Sequence, residues 1–289
     1  MQRTKIQVLF FRLFSLIKCK RILPEIYYYN NFGLKSTRKM QKLSLARAKQ
    51  IKALHQKKMR EETNLFLVEG LKPVLELMSS NWKIESIVAS DSFYGDYKKN
   101  LLEYDDKVFV CTADELNQIS TFKTNQHVLA VVAQKSERIE KPDENEDFWL
   151  VLESISDPGN LGTIIRLADW FGLKEVIRIG EGVEWYNPKV IASSMGSFLR
   201  VKQVKSDASS LLSFKRLPFV ADLNGENMYD FTFPEKSLLV IGNEAKGPSE
   251  FWKKNKVRAL TIPGFGHAES LNAGIATGIL LNHYRFLKK

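Results

Sequence analysis

The sequence predicts an α/β protein made of two successive sheets. Short apolar runs alternate with helical periods between residues 65 and 133, and the same alternation resumes at residue 148. Between them, "QKSERIEKPDENED" is charged, contains a proline and lacks apolar period, as an interdomain linker does. These observations divide the chain into a small α/β domain at 40–135, a linker at 136–147 and a second α/β domain at 148–289.

In the first domain "MQKLSLARAKQIKALHQKKMREE" (40–62) is a helical, strongly basic pattern. "LFLVEG" predicts a strand, "LKPVLELMSS" a helix, and "IESIVAS" and "KVFVC" two more strands. Thr112 and Glu115 stand at capping-box spacing over a short helix, and "HVLAVVA" is the fourth strand. Strands alternating with helices imply a mostly parallel sheet.

The second domain opens with the buried strand "FWLVLESI", followed by the helix "NLGTIIRLADWFG" ended by Gly172, and the strand "EVIRIG". "NPKVIASSMGSFLR" predicts a helix with Pro188 in its first turn. "PFVADL" and "LLVIGN" are strands, "PSEFWKKN" a short helix with proline in its first turn, and "ALTIP" the last strand. A long helix, "SLNAGIATGILLNHYRFL", closes the chain with Ser270 placed to cap it.

With 44% hydrophobic and 26% charged residues, the 289-residue chain has the composition of a soluble globular protein. Two cysteines exclude a disulfide framework, and four scattered histidines without ligand spacing argue against a metal centre. No apolar run reaches bilayer length, so a cytoplasmic location is expected. Charge is uneven. Residues 1–62 hold 16 Lys/Arg against 3 Asp/Glu, and the rest hold 27 against 30. A basic arm on a near-neutral body points to a polyanionic partner, nucleic acid first. Residues 1–39 are amphipathic and basic, without the alternation that follows. They fit a transit-like presequence, a membrane-surface helix or translation from too early a start, and Met40 is the favoured beginning.

Three stretches carry chemistry. In "SDPGNLGTIIRLADWFG" a tight turn follows a strand's carboxyl end, Asn160 offers a donor and an acceptor, and Arg166 interrupts an apolar helix. In "IGNEAKGPS" Gly242 permits close approach to the backbone, and Glu244 repels phosphate while tolerating a positive ligand. In "TIPGFGHAESLNAGIATG" two glycines follow a proline turn, and small residues line one face of the helix after Asn272. Each alone has a bland reading as cap, loop or packing face.

Together, in order and spacing, they resemble the SpoU (TrmH) family of RNA ribose methyltransferases within the SPOUT superfamily. The likeness covers about residues 148–286, and a weaker one at 42–133 is similar to a substrate-binding domain preceding many such enzymes. The chain departs from the family pattern at Gly264, where methionine is usual, and at "NAGIATG", where a valine-rich run is commoner. The resemblance implies a knotted C-terminal domain with a parallel sheet and deep trefoil knot, a homodimer, and S-adenosyl-L-methionine (AdoMet) as cofactor without metal. It places Gly242, Asn243, Gly247, Ile262, Pro263 and Leu271 at the cofactor, with Arg166, Asn160, Glu244, Ser270 and Asn272 in catalysis. Since a guanidinium keeps its proton, Arg166 is expected to grip a phosphate and stabilise the developing alkoxide rather than act as base. The substrate implied is a structured RNA, rRNA ahead of tRNA. Two rivals were weighed. A dinucleotide-binding protein would need a GxGxxG that "SDPGNLGT" does not supply, and an RNA-binding protein without catalysis would be expected to lack Arg166 or Asn272.

Overall fold

The computed structural model describes residues 41–122, 125, 127–135 and 141–287. The basic extension expected at 1–39 and residues 136–140 of the expected linker lie outside the described residues.

The first sheet has five strands in the order β1 (Gln41–Lys42), β4 (Val108–Cys111), β3 (Ile84–Ser90), β5 (Val128–Ala133) and β2 (Leu65–Glu69). β5 runs antiparallel to both β2 and β3, so this sheet is mixed rather than mostly parallel. A strand buried on both faces reads as the same apolar run in either direction, so residue pattern alone does not assign direction. The basic stretch is two helices, α1 (Leu45–Ala53) and α2 (Lys57–Thr63), instead of one. The break is tertiary in origin: Leu54 is buried, and Arg60 Nη1 donates to its carbonyl at 2.6 Å. Helix α3 (Leu71–Met78) follows β2, α4 (Asp91–Asp96) and α5 (Lys98–Leu101) follow β3, and α6 (Ala113–Ile119) carries the expected capping box at Thr112 and Glu115.

The second sheet has six strands, all parallel: β11 (Arg258–Thr261), β9 (Leu217–Asn227), β10 (Ser237–Ile241), β6 (Phe148–Glu153), β7 (Glu175–Ile179) and β8 (Lys202–Lys205). β6 and β10 are buried at every position, as their uninterrupted apolar runs require. Its helices are α7 (Pro158–Trp170), α8 (Pro188–Ser193), α9 (Ala208–Leu212), α10 (Glu250–Lys254) and α11 (Ala273–Leu287). β8 and α9 were not expected. The helix expected over 187–200 stops at Ser193, because Met195 and Gly196 both take positive φ, at 50° and 90°. In α10 Pro248 precedes the cap Ser249 instead of lying in the first turn. Small residues of α11 meet side chains of α7 rather than its backbone, a Cβ on Gly274 lying 3.0 Å from Thr163 Cγ2.

Residues 40–289 form one compact unit, with an apolar core continuous between the sheets. Phe66 of β2 lies with its ring centroid 4.6 Å from Tyr186 and 5.9 Å from Phe198. Two ion-pair clasps flank this contact. Arg60, only 2% exposed, pairs with Glu184, and Arg200 joins Asp169 of α7 (2.8 Å) to Glu76 of α3 (2.8 Å). Residues 141–147 are held rather than free, since Lys236 Nζ donates to the Glu144 carbonyl at 2.8 Å and Asp143 N to Glu175 at 2.8 Å.

Removing one partner of a buried pair leaves a desolvated charge. Arg60→Met is expected to cost about 3–5 kcal/mol in chemical denaturation, with much of the loss recovered in Arg60→Met/Glu184→Leu. A double variant no better than the single one would show that loss of the bond to Leu54, not the stranded Glu184 carboxylate, sets the cost.

Candidate active site

Because every strand of the second sheet points the same way, the carboxyl ends of β6, β10 and β11 share one rim, where open α/β sheets bind ligands. Three loops rise from it, at 154–157, 242–249 and 262–272.

The first loop feeds α7, whose N-cap is Asp157, accepting from Asn160 N at 2.7 Å. With its backbone committed to the cap, Asn160 turns its amide to the other two loops. Its Nδ2 donates to Glu244 Oε1 at 3.1 Å, and its Oδ1 accepts from Asn272 Nδ2 at 2.6 Å. Glu244 also accepts from Ser156 Oγ (3.0 Å), Ser156 N (3.3 Å) and Asp157 N (3.3 Å). Partial burial alone would raise the Glu244 pKa, but hydrogen bonds from Asn160, its own main chain and Ser156 outweigh it and hold the carboxyl below its ordinary range.

The second loop is closed on itself. Asn243 Nδ2 donates to the Ser154 carbonyl at 2.9 Å, its Oδ1 accepts from the main chain of Ala245 and Lys246, and Gly247 N returns to the Asn243 carbonyl at 2.9 Å. Gly242 is needed for this closure: a Cβ there would sit 2.3 Å from Pro248 N. The close approach expected at Gly242 is therefore taken, on that side, by the protein's own chain. Gly247 holds φ +67°.

The third loop brings Asn272 back to the rim. Asn272 Oδ1 accepts from Gly274 N (2.9 Å) and Ile275 N (3.3 Å), so it caps α11, which starts at Ala273. Ser270, expected as the cap, is exposed two residues upstream, because the helix start is set by the residue also tied to Asn160. Ile262 and Pro263 are half-buried and Leu271 is exposed. The main chain of residues 264–271 makes no hydrogen bond among the described residues. Arg166 lies on the exposed face of α7, about 9 Å along the axis from Asn160, without a hydrogen bond or ion pair among the described residues.

The structure thus joins Asn160, Glu244 and Asn272 directly, brings Gly242, Asn243 and Gly247 into one loop, and leaves Arg166 and Ser270 outside the network. Sequence reasoning missed Ser156 as a partner of Glu244. It also missed Glu153, whose carboxylate accepts from Ser249 N (2.8 Å), Ser249 Oγ (2.7 Å) and Trp252 Nε1 (3.1 Å) and so anchors the far end of the second loop. A carboxylate closing the apolar run "FWLVLE" was the available signal. A polar cleft of about 470 Å³ opens at the seam of the sheets, lined by Lys57, Gln134, Lys135, Gly180 and Glu184 among others, and no predicted site residue lines it. Among the described residues no cluster of three or more His, Cys, Asp or Glu could hold a metal, and no helix is long and apolar enough to cross a membrane.

A lowered carboxyl pKa means that the stabilisation Glu244 gives these loops is complete above its ordinary value of 4.5 and is lost as pH falls through the lowered one. Carbon-13 NMR titration should place the Glu244 midpoint below 4.5 and show it rising in Asn160→Ala. An unchanged midpoint in that variant would remove Asn160 as the cause.

Residues 147–282 match the SpoU rRNA Methylase family, and residues 46–130 match the MRM3-like substrate binding domain. The chain is 30% identical over 245 residues to the 23S rRNA (guanosine(2553)-2'-O)-methyltransferase RlmP of Bacillus subtilis, covering 83% of this chain and 96% of that protein. It is 30% identical over 236 residues to the 23S rRNA (uridine(2479)-2'-O)-methyltransferase of Streptomyces viridochromogenes, covering 76% and 82%. Among solved structures, an AdoMet-bound rRNA methyltransferase from Sinorhizobium meliloti superposes with a TM-score of 0.75 at 27% identity, covering 86% of this chain and 97% of that one. With rRNA methylases matched along nearly their whole length in both sequence and fold, the chain belongs to the SpoU rRNA methylase family.

Proposed function

We propose that this protein transfers a methyl group from AdoMet to a ribose 2'-hydroxyl of large-subunit rRNA. The observation that carries the reading is the Asn160 amide, which ties together the three rim loops of a parallel sheet. The residues present fit the cofactor: the main chain of 264–271, without a hydrogen-bond partner among the described residues, can offer donors and acceptors to an adenine, and Glu244 is held anionic, as a positive ligand favours. Bound there, AdoMet supplies a methyl group on a sulfonium. Gly242, Asn243, Gly247, Ile262, Pro263 and Leu271 would hold it.

The chain's own task is to bring the ribose oxygen to about 3–3.5 Å from that methyl and to ease loss of its proton. Arg166, exposed and unpaired among the described residues, presents a fork that fits a phosphate next to the reacting ribose. Its donors stabilise the alkoxide as it forms, which eases loss of the proton to solvent. Asn160, Glu244 and Asn272 hold the loops in register, and Ser270, exposed on the same loop as Asn272, is free to meet the substrate.

RNA affinity is divided between phosphate contacts and this rim. Of the seven basic residues between 41 and 62, Lys42, Lys49, Lys52, Lys57 and Lys58 are exposed, whereas Arg60 is buried and Arg47 lies 4.1 Å over the Phe109 ring. Finer parts of the reading are a cytoplasmic homodimer and a trefoil knot in the second sheet. The dimer contact is assigned to the exposed stripe of Thr163, Arg166 and Trp170 on α7, with Ile275 and Phe286 on α11.

Two measurements test this. Mass-spectrometric mapping of ribose methylation should show one large-subunit rRNA site lost on gene deletion and restored by wild type but not by Arg166→Lys, which should bind AdoMet normally yet lose about 10²–10³-fold or more in kcat. Loss from tRNA instead would move the substrate, and no loss anywhere would leave an RNA-binding protein without catalysis. Neutralising Lys49, Lys52, Lys57 and Lys58 together should flatten the log–log salt dependence of RNA binding by about 3. An unchanged slope would make α1 and α2 a solvated face.

A further inference from the structure

We propose that Phe265 is the stacking platform for a base of the RNA substrate; this rests on the methyltransferase reading above. Phe265 is 97% exposed, in a chain that buries most of its large apolar side chains. It is flanked by Gly264 and Gly266, yet neither glycine is demanded by its surroundings. A Cβ on either would meet nothing within 4 Å, and neither takes a positive φ. What two unforced glycines provide is clearance: no neighbouring side chain shields either face of the ring. The main chain of 264–271 makes no hydrogen bond among the described residues, so the segment can adjust to what lands on it.

The position follows from topology. The loop leaves β11 at the edge of the sheet and ends at Asn272, which bonds Asn160 at the start of α7, the helix after β6. Between β11 and β6 stand β9 and β10, so the loop crosses the carboxyl ends of two strands, a span of roughly 14 Å at about 4.8 Å per strand. Phe265 therefore lies on the loop that spans this rim, four residues past the end of β11. A cofactor pocket is concave and shields its lining. A ring exposed on nearly all its surface suits a base presented from outside, and unstacked RNA bases are commonly held on such rings. Lys246, exposed on the neighbouring loop, offers a cation for the attached phosphate.

The test uses the full chain, AdoMet and deproteinised large-subunit rRNA from a deletion strain. Phe265→Ala and Phe265→Leu are expected to lower kcat/KM for RNA by about 5- to 150-fold, whereas Phe265→Trp retains it. Calorimetric affinity for AdoMet and mass by light scattering should be unchanged in all three. In Phe265→Trp the new indole emission should be quenched by the rRNA, a readout that needs no turnover. Phe265→Leu as active as wild type would overturn the proposal, since an aliphatic contact would then suffice. Weaker AdoMet binding in Phe265→Ala would assign the ring to the cofactor, and a fall in mass would assign it to a subunit contact; either overturns it. Quenching in Phe265→Trp, with no methylation by the wild-type protein, would retain the platform and sink the enzymatic reading, and methylation by the wild type without quenching in the variant would do the reverse.

Discussion

One residue, Asn160, touches all three rim loops, two of them through its primary amide. Glu244 is an acceptor only, so the Asn160 Nδ2 must face it, which leaves Oδ1 for the Nδ2 of Asn272. No other uncharged side chain of that length offers a donor at one end and an acceptor at the other. Aspartate would place two carboxylates side by side, and leucine would strand both partners. The N-cap at Asp157 fixes the orientation, because it pins the Asn160 backbone before the side chain reaches outward. Loops that begin on three different strands thus meet at one residue of a helix.

Much of this was legible in the residues. Asn160, Glu244 and Asn272 stood out because each sits just past a buried strand or just before a helix, in turns that glycine and proline mark unambiguously. Their mutual contacts were not legible, since 84 and 112 residues separate the partners. The N-cap of α11 went wrong by two positions: Ser270 and Asn272 are both good caps, and only the contact to Asn160 decides between them. β8 and α9 escaped notice because Lys202–Lys205 buries only Val204, as an edge strand will, and Ala208–Leu212 is barely one turn. The direction of β5 had no signal at all in its side chains.

The basic arm divides its labour in a way that charge counting hides. Arg60 lost its solvent to the seam between the sheets and is not available to a phosphate, while Arg47 lies over the Phe109 ring. The lysines stay in water. This follows the chemistry of the two side chains: guanidinium is weakly hydrated and tolerates burial and stacking, whereas ammonium holds its water and acts as a surface charge. Arginine serves architecture in this segment and lysine serves the field.

The Arg60–Glu184 pair also has a temporal side. Its members are 124 residues apart, so at about 5–20 residues per second Arg60 leaves the ribosome roughly 6–25 seconds before its counter-charge exists. During that interval the Arg60 guanidinium has the Leu54 carbonyl for a partner but no counter-charge. The first half of the chain therefore waits, unsealed, for a glutamate in the second half, which couples the two sheets at birth as firmly as their shared core does afterwards.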